Sequence, residues 1–333
     1  MIMNMKKYIL LLSLSALALT SCYDSYIHNN ESAAVGFANQ NDVRSVVVGE
    51  SLEFSTGVAL AGVIDNKEDR TVGYTVDAAL VNAETLAAFK AHPLSYINAL
   101  YAGVSSIVPL AEDAYTLVND GDGAGKTVIK AGTHLGKITV KVNPDKYFSG
   151  QASTTPTAVI ALSITDAGKL DVIEGKATTV IGVRFENMLF GSYWHGGVAT
   201  VEGPGGTRTE TFATTIPQPD NSVWTLTTET PHTLTANAVG NELNGTKAQL
   251  RLTVDEDSGA VTVSAVEGAT YVVEPDGECR FNQARLLQDR KIFLSYKYVK
   301  AGETWHVKDT LTFRNRIRDG VNEWQDENQE AYQ

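Results

Sequence analysis

Tryptophan and histidine side chains in the second half of the chain are the groups best suited to bind a ligand. The four tryptophans are Trp194, Trp224, Trp305 and Trp324. An aromatic ring can stack on the apolar C–H face of a sugar ring while polar neighbours bond the hydroxyls. Trp194 is followed by His195 and two glycines, so Trp194 and His195 form the first candidate contact, and Trp324 is the second. Trp224 and Trp305 share strand parity with apolar residues and are expected in the core.

Three arginines alternate along one predicted strand. Arg314, Arg316 and Arg318 are expected to form a cationic stripe on one face. Guanidinium groups bind carboxylates through paired hydrogen bonds, so the stripe could capture an anionic sugar. Alternatively, it is a solvated stripe that resists edge-to-edge pairing. Asp309 lies on the apolar side of the same strand, and one of these arginines is a candidate partner for its buried carboxylate.

No arrangement of residues predicts catalysis, a metal or a cofactor. The six histidines are scattered, and none forms an HExxH pair. No serine lies in a GxSxG motif, and no pair of carboxylates is marked out for glycoside hydrolysis. The glycine-rich stretch Asp120–Thr127 lacks the first glycine of a phosphate loop, precedes a strand, and lacks the closing glutamate of a calcium-binding hand. We therefore expect a protein that is not an enzyme.

The first 22 residues predict export and lipid attachment. Lys6 and Lys7 precede the apolar stretch Tyr8–Leu19, whose length of about 12 residues is too short for the roughly 20 that span a bilayer. The cysteine of Leu19-Thr20-Ser21-Cys22 resembles a bacterial lipoprotein box, in which cleavage precedes the cysteine and its sulfur carries a diacylglycerol. Residues 1–21 are then the signal peptide, Cys22 carries the lipid, and residues 22–32 form a polar tether. The alternative is an ordinary signal peptide.

Charge and cysteine content exclude other classes of partner. The chain has 27 Lys and Arg against 39 Asp and Glu, a formal net charge of −12 that cleavage of Lys6 and Lys7 makes more negative. This balance argues against nucleic acid and against electrostatic docking on anionic lipid. If Cys22 carries lipid, Cys279 has no partner for a disulfide and is expected to be a small, partly buried apolar residue.

Short alternating runs from Ala33 onwards predict an all-β protein. In one example, Ile138, Val140 and Val142 alternate with polar residues, the pattern of a half-buried strand. One exception is the stretch 83–91, which is expected to be a helix capped by Asn82. The strand spacing predicts an immunoglobulin-like antiparallel β-sandwich over residues 33–187.

The second half carries a more regular series of strands. About eight of them, almost without helix, predict an up-and-down β-barrel of lipocalin type, whose mouth or interior can hold a ligand. This domain is expected over residues 188–325, and a second sandwich is the alternative. Residues 326–333 form an acidic polar tail.

Two segments resemble a known family. The closing stretch DTLTFRNRIRDGVNEW (Asp309 to Trp324), with Ile129-Lys130-Ala131-Gly132-Thr133 in the first half, resembles a family of Bacteroidetes lipoproteins of unknown function. Its members join an Ig-like N-terminal domain to a lipocalin-like C-terminal domain. The resemblance implies an outer-membrane, surface-exposed lipoprotein of a Sus-like glycan-utilisation locus, beside a TonB-dependent importer and its SusD-like partner. It supplies no site residues.

The leading hypothesis is a non-catalytic, cell-surface lipoprotein that binds glycan. Its candidate contacts are Trp194, His195, Trp324, Arg314, Arg316 and Arg318. The alternative is a structural or adhesive surface protein, such as a fimbria-like subunit. A third hypothesis, a small hydrophobic ligand inside the barrel, predicts an apolar cavity in the second domain.

Overall fold

The computed structural model describes residues 33–119, 123–218 and 220–326. The predictions on the signal peptide, on Cys22, on the tether and on the tail beyond Asp326 lie outside the described residues. Within those ranges, no helix combines the length and the apolar character that a membrane crossing requires.

The first unit is a sandwich of two sheets. Its strands are β1 (Ala34–Phe37), β2 (Asn41–Val48), β3 (Glu53–Ala61), β4 (Arg70–Val76), β5 (Val108–Pro109), β6 (Tyr115–Asn119), β7 (Lys126–Ile129), β8 (Leu135–Val142), β9 (Ala158–Asp166), β10 (Asp171–Val172) and β11 (Thr178–Asn187). One sheet has the order β10-β1-β3-β8-β6 and the other β2-β11-β9-β4-β7, with β5 beside β9. Three pairs are parallel, β2 with β11, β1 with β10 and β5 with β9, and the other strand pairs described in these sheets are antiparallel. The predicted all-β sandwich is confirmed.

Three helices accompany the sandwich: α1 (Ala83–Lys90), α2 (Ser95–Tyr101) and α3 (Pro144–Gly150). The predicted helix α1 is present, and the Asn82 side chain accepts a hydrogen bond from the Thr85 N–H at 3.0 Å. The expectation of a single helix was wrong. Asn143-Pro144-Asp145 suggests a turn, but Pro144 occupies the first turn of α3, where its missing N–H costs nothing.

Helices α1 and α2 cover the outer face of the second sheet. Phe89 and Tyr101 stack at 4.2 Å and pack with Val159 and Ala161 of β9. Ile160 on the opposite face of β9 joins the core between the sheets. This two-sided burial is the reason that the sequence of β9 is apolar at every position from Ala158 to Leu162.

The second unit is a closed β-barrel. Its strands are β12 (Gly191–Gly203), β13 (Gly206–Ala213), β14 (Val223–Thr230), β15 (Thr233–Ala236), β16 (Ala238–Val239), β17 (Glu242–Leu243), β18 (Leu250–Val254), β19 (Ala260–Ala265), β20 (Val273–Pro275), β21 (Cys279–Phe281), β22 (Lys291–Lys300), β23 (Glu303–Arg318) and β24 (Val321–Glu323). The main path runs β12-β14-β15-β18-β19-β21-β22-β23, and β23 pairs back with β12 along Ser192–Glu202. The predicted barrel, rather than a second sandwich, is therefore the observed fold.

Large side chains fill the barrel. Tyr193, Trp224, Tyr296 and Trp305 are all buried in its core, which confirms the predicted positions of the two tryptophans. Cys279 is buried as expected, and its Sγ accepts a hydrogen bond from the Ser295 N–H at 3.1 Å. Burial raises the pKa of this thiol above its usual value.

Candidate functional site

The hairpin formed by β23, β24 and the turn between them joins the barrel to the sandwich. Asp319 at the turn accepts hydrogen bonds from the Ser45 N–H at 2.9 Å and the Ser45 hydroxyl at 2.6 Å. Gly320 follows with φ of 80° and lies so close to Tyr96 that a Cβ atom would be 2.5 Å from the ring. The Asp-Gly turn therefore fits both the hairpin and the surface of the sandwich.

A buried ionic cluster lies next to this hairpin. Glu50, from the loop between β2 and β3, accepts two hydrogen bonds from Arg316 at 2.7 and 2.9 Å and a third from Arg290 at 2.6 Å. Arg316 also donates to Glu323 at 2.6 Å. Burial alone would raise the pKa of Glu50, but the hydrogen bonds and charges of Arg316 and Arg290 outweigh it and lower that pKa. These four residues, Glu50, Arg290, Arg316 and Glu323, form an inter-unit clamp.

The first cavity opens beside the clamp and has a volume of about 480 Å³. Trp324 lines it and is 57% exposed, although it lies just after a strand of the hairpin. Arg44 of the sandwich and Arg318, Asn322 and Gln325 of the barrel also line it. The cavity thus joins an accessible aromatic face to guanidinium and amide groups from both units.

The second cavity, of about 710 Å³, lies on the same junction and shares the lining residues Arg318 and Asp326 with the first. Glu50, Glu53 and Phe54 line it from the sandwich, and Gln283 and Arg285 line it from the barrel. We refer to the two cavities together as the junction cleft. Each of the two cavities has a volume in the range of sites that hold organic ligands.

The structure separates the three arginines that were predicted to form one stripe. Ser192 pairs with Asn315 whereas Tyr193 pairs with Phe313, so Arg314 is an extra residue in a β-bulge. As a result, Arg314 is exposed, Arg316 is buried in the clamp, and Arg318 borders the cleft. The expectation of a single cationic face was wrong, because the bulge changes which side of the strand faces inwards.

Trp194 lies on the outer wall of the barrel, away from the lining of both cavities. The Arg314 guanidinium carbon is 4.9 Å from the centre of its ring, a cation–π contact between two of the predicted site residues. The structure therefore brings predicted residues together in two places: Trp194 with Arg314 on the barrel wall, and Trp324 with Arg318 on the wall of the first cavity.

His195 points into the barrel, where it belongs to a buried hydrogen-bond chain. Its Nε2 is 2.7 Å from Asp309 Oδ1 and its Nδ1 is 3.1 Å from Ser222 Oγ. Tyr296 donates to the other Asp309 oxygen at 2.6 Å and accepts from the Gly240 N–H at 2.6 Å. The partner of Asp309 is therefore His195 with Tyr296, and the expectation of an arginine was wrong.

Ser222, His195 and Asp309 contact one another in the order of a serine-hydrolase triad, but with the two ring nitrogens exchanged: Ser222 is on Nδ1 and Asp309 is on Nε2. No sequence motif marks this arrangement. Its histidine and aspartate side chains are, however, only 1% and 0% exposed, and the Trp224 ring stacks on His195 at 4.6 Å. Such a fully paired chain of buried polar groups is also what fixes a unique core. In the part of the chain that the structure describes, no group of three or more His, Cys, Asp or Glu is placed to hold a metal ion.

Comparison with known proteins supports the fold. A family model described as a "-like, N-terminal domain" matches residues 25–171. A solved protein of unknown function from Bacteroides ovatus is 18% identical with a TM-score of 0.60, over 89% of this chain and 98% of its own. None of the curated proteins is significantly similar in sequence.

Two further solved structures are more loosely similar. A multidomain protein including DUF1735 from Bacteroides ovatus has 13% identity and a TM-score of 0.41, over 86% of this chain and 96% of its own. An auxiliary nutrient binding protein from Bacteroides thetaiotaomicron has 16% identity and a TM-score of 0.39, over 85% and 94%. The structure with a TM-score of 0.60 is a Bacteroides protein, in keeping with the expected resemblance to Bacteroidetes proteins. Lipid attachment and membership of a Sus-like system stay predictions.

Proposed function

We propose that this protein is a non-catalytic lipoprotein of the outer membrane that binds glycan in the junction cleft. The observation that carries the proposal is the position of Trp324, which is 57% exposed on the wall of the first cavity. A large apolar ring that is left in contact with water inside a polar cavity is suited to stack on a sugar.

The groups around Trp324 complete the chemistry of a sugar site. Arg318 is held by two hydrogen bonds to Glu323, at 2.8 and 2.5 Å, and Arg44 pairs with Asp42 at 2.8 Å. These contacts fix the direction of each guanidinium and leave further N–H groups for a ligand. Asn322 and Gln325 add amide groups, which can donate to and accept from hydroxyls.

Both units would then take part in binding. Arg44 belongs to the sandwich and Trp324 to the barrel, and the clamp fixes one against the other. On this proposal the sandwich contributes binding groups of its own to the site. The names of the loosely similar structures are compatible with binding, but the similarity is too low for the proposal to depend on them.

The test is a screen of the mature, lipid-free protein on arrays of plant and host polysaccharides, followed by titration of each ligand found. We expect Trp324→Ala to weaken binding about tenfold, which corresponds to roughly 1.4 kcal/mol for the loss of stacking. Trp194→Ala is the matched comparison, because Trp194 is a partly exposed tryptophan outside the cleft. Loss of binding in Trp194→Ala and not in Trp324→Ala would place the site on the barrel wall and contradict the proposal.

A further inference from the structure

We infer that the ligand of the junction cleft is a neutral oligosaccharide of several units, which extends from the first cavity into the second. This inference rests on the proposed function and adds the class and length of the ligand. Its first support is continuity: Arg318 and Asp326 line both cavities, so a chain bound on Trp324 that passes these residues enters the second cavity.

The second cavity has the chemistry of a sugar subsite. Arg285 and Gln283 are exposed on its barrel side, and Phe54 and Phe281 contribute apolar floor from the two units. Guanidinium and amide groups can bond hydroxyls, and apolar surface can pack on sugar C–H groups. This cavity has no exposed tryptophan, so its contribution is expected to be smaller than that of the first.

The backbone of this subsite is held in an uncommon conformation. Gln283 has φ of 54°. Two other non-glycine residues in the described ranges have positive φ, Ala301 and Asp319, and each of them precedes a glycine in a hairpin turn. Gln283 precedes Ala284 instead. Strained residues of this kind persist where the surrounding structure holds them, and they are concentrated at ligand-binding segments.

Arg290 and Gln283 show how the strained segment is held. Arg290 donates to the backbone carbonyls of Ala284 at 3.4 Å and Arg285 at 3.0 Å, and the same guanidinium pairs with Glu50 in the clamp. The Gln283 amide donates to the Asp257 carbonyl at 2.7 Å. The segment is therefore positioned before any ligand arrives, which reduces the entropy lost on binding.

The charge of the cleft favours a neutral chain. Its lining includes seven carboxylates, Glu50, Glu53, Glu256, Asp257, Asp319, Glu323 and Asp326, against four arginines, Arg44, Arg285, Arg290 and Arg318. Glu50 and Glu323 are paired with arginines and Glu53 is paired with Lys141, while Arg44 is paired with Asp42. Among the described residues, Asp257, Asp319 and Asp326 pair with no lysine or arginine, and Arg285 is the one lining arginine without a carboxylate partner. A chain with a carboxylate on every sugar would meet net repulsion. The cleft therefore favours neutral sugars over the anionic sugar that the predicted arginine stripe would have bound.

The experiment titrates the mature protein with malto-, cello-, xylo-, manno- and galacturono-oligosaccharides, each from the monosaccharide to the octasaccharide. We expect affinity for one neutral series to rise about tenfold or more with length and then level off. Arg285→Ala should weaken binding of the long members about fivefold and leave the short members unchanged, as expected for one lost hydrogen bond. Arg280→Ala, an exposed arginine outside both cavities, is the control.

The outcomes separate this inference from the proposed function. Affinity that does not depend on length, an unchanged Arg285→Ala variant, or binding confined to the galacturono-series would overturn the inference, while a weakened Trp324→Ala variant would still support a sugar site. Failure of every series to bind, or full binding by Trp324→Ala, would contradict the proposed function itself.

Discussion

Asp309 is the central acceptor of the buried hydrogen-bond chain inside the barrel. Its two oxygens accept hydrogen bonds from His195 and Tyr296, and its side chain is inaccessible to water. When the Nε2–H of His195 donates to Asp309, Nδ1 can accept from the Ser222 hydroxyl, so each polar group has a partner. Gly197 stands opposite, where a Cβ atom would be 2.4 Å from Asp309 Oδ1 and 3.2 Å from His195 Nε2, so only glycine leaves room for the pair.

We expect Asp309→Ala to lower the free energy of unfolding by about 3 kcal/mol, because it leaves two buried donors without an acceptor. Urea unfolding followed by tryptophan fluorescence measures the change, and Asp65→Ala, at an exposed position, should change it little.

A fluorophosphonate probe tests whether the same groups are catalytic: we expect Ser222 to stay unlabelled in the folded protein. Labelling that Ser222→Ala and Asp309→Ala both abolish would show that the chain of groups is catalytic.

At this scale, sequence alternation predicts which side chains are buried, but not which residues are in contact. Trp224 and Trp305 lie inside the barrel as their parity indicates. The partner of Asp309 could not be predicted, because His195 is 114 residues away and no motif links them. The separation of Arg314 from Arg316 results from a bulge, which depends on the pairing of two distant strands. Trp324 was among the predicted ligand contacts, but the sequence around it did not make it a stronger candidate than Trp194.

Strand β23 takes part both in closing the barrel and in the contact with the sandwich. Its first part closes the ring against β12, and its last part, Arg316 to Arg318, leaves the barrel core to form the hairpin with β24. The bulge at Arg314 marks the change between the two. Through Arg316 and Asp319 the same strand reaches Glu50 and Ser45 of the sandwich. One element thus builds the barrel, the clamp and one wall of the cleft.

The clamp predicts a dependence of stability on pH. The folded-state pKa of Glu50 is lowered, so its carboxylate stabilises the folded protein above its unfolded pKa of about 4.5, and this stabilisation is lost as pH falls through the folded pKa. We expect Glu50→Gln to cost about 3 kcal/mol at neutral pH. The difference between wild type and variant should shrink below pH 4.5, as measured by urea unfolding over a pH series. A difference that does not vary with pH would contradict this role of the carboxylate.

At the scale of the whole molecule, the two units are joined over several contacts from different parts of the sequence. Glu50 binds Arg290 and Arg316, Asp319 binds Ser45, and Asn187 donates to Glu256 at 2.7 Å. The cleft lies between the units, so its shape depends on these contacts. The sequence predicted the two folds but could not predict their relative placement, because each contact joins residues that no local pattern relates.

We expect the mature protein to unfold in one calorimetric transition, because the clamp and the Asp319 contact couple the barrel to the sandwich. The double variant Glu50→Gln/Asp319→Ala should show two transitions. Each single variant serves as a control and should keep one transition at a lower Tm. Two transitions in the wild-type protein would show that the units are stable independently and that the contacts do not couple them.

The unequal exposure of the tryptophans gives the protein an optical reporter of its own. Trp224 and Trp305 are buried and Trp194 is covered in part by Arg314, whereas Trp324 is 57% exposed. A neutral collisional quencher such as acrylamide reaches exposed indoles first, so the quenchable part of the intrinsic fluorescence comes largely from the first cavity. A ligand that covers this ring would shield it from acrylamide without any added label, and crude glycan extracts could be tested for occupancy of the cleft in solution.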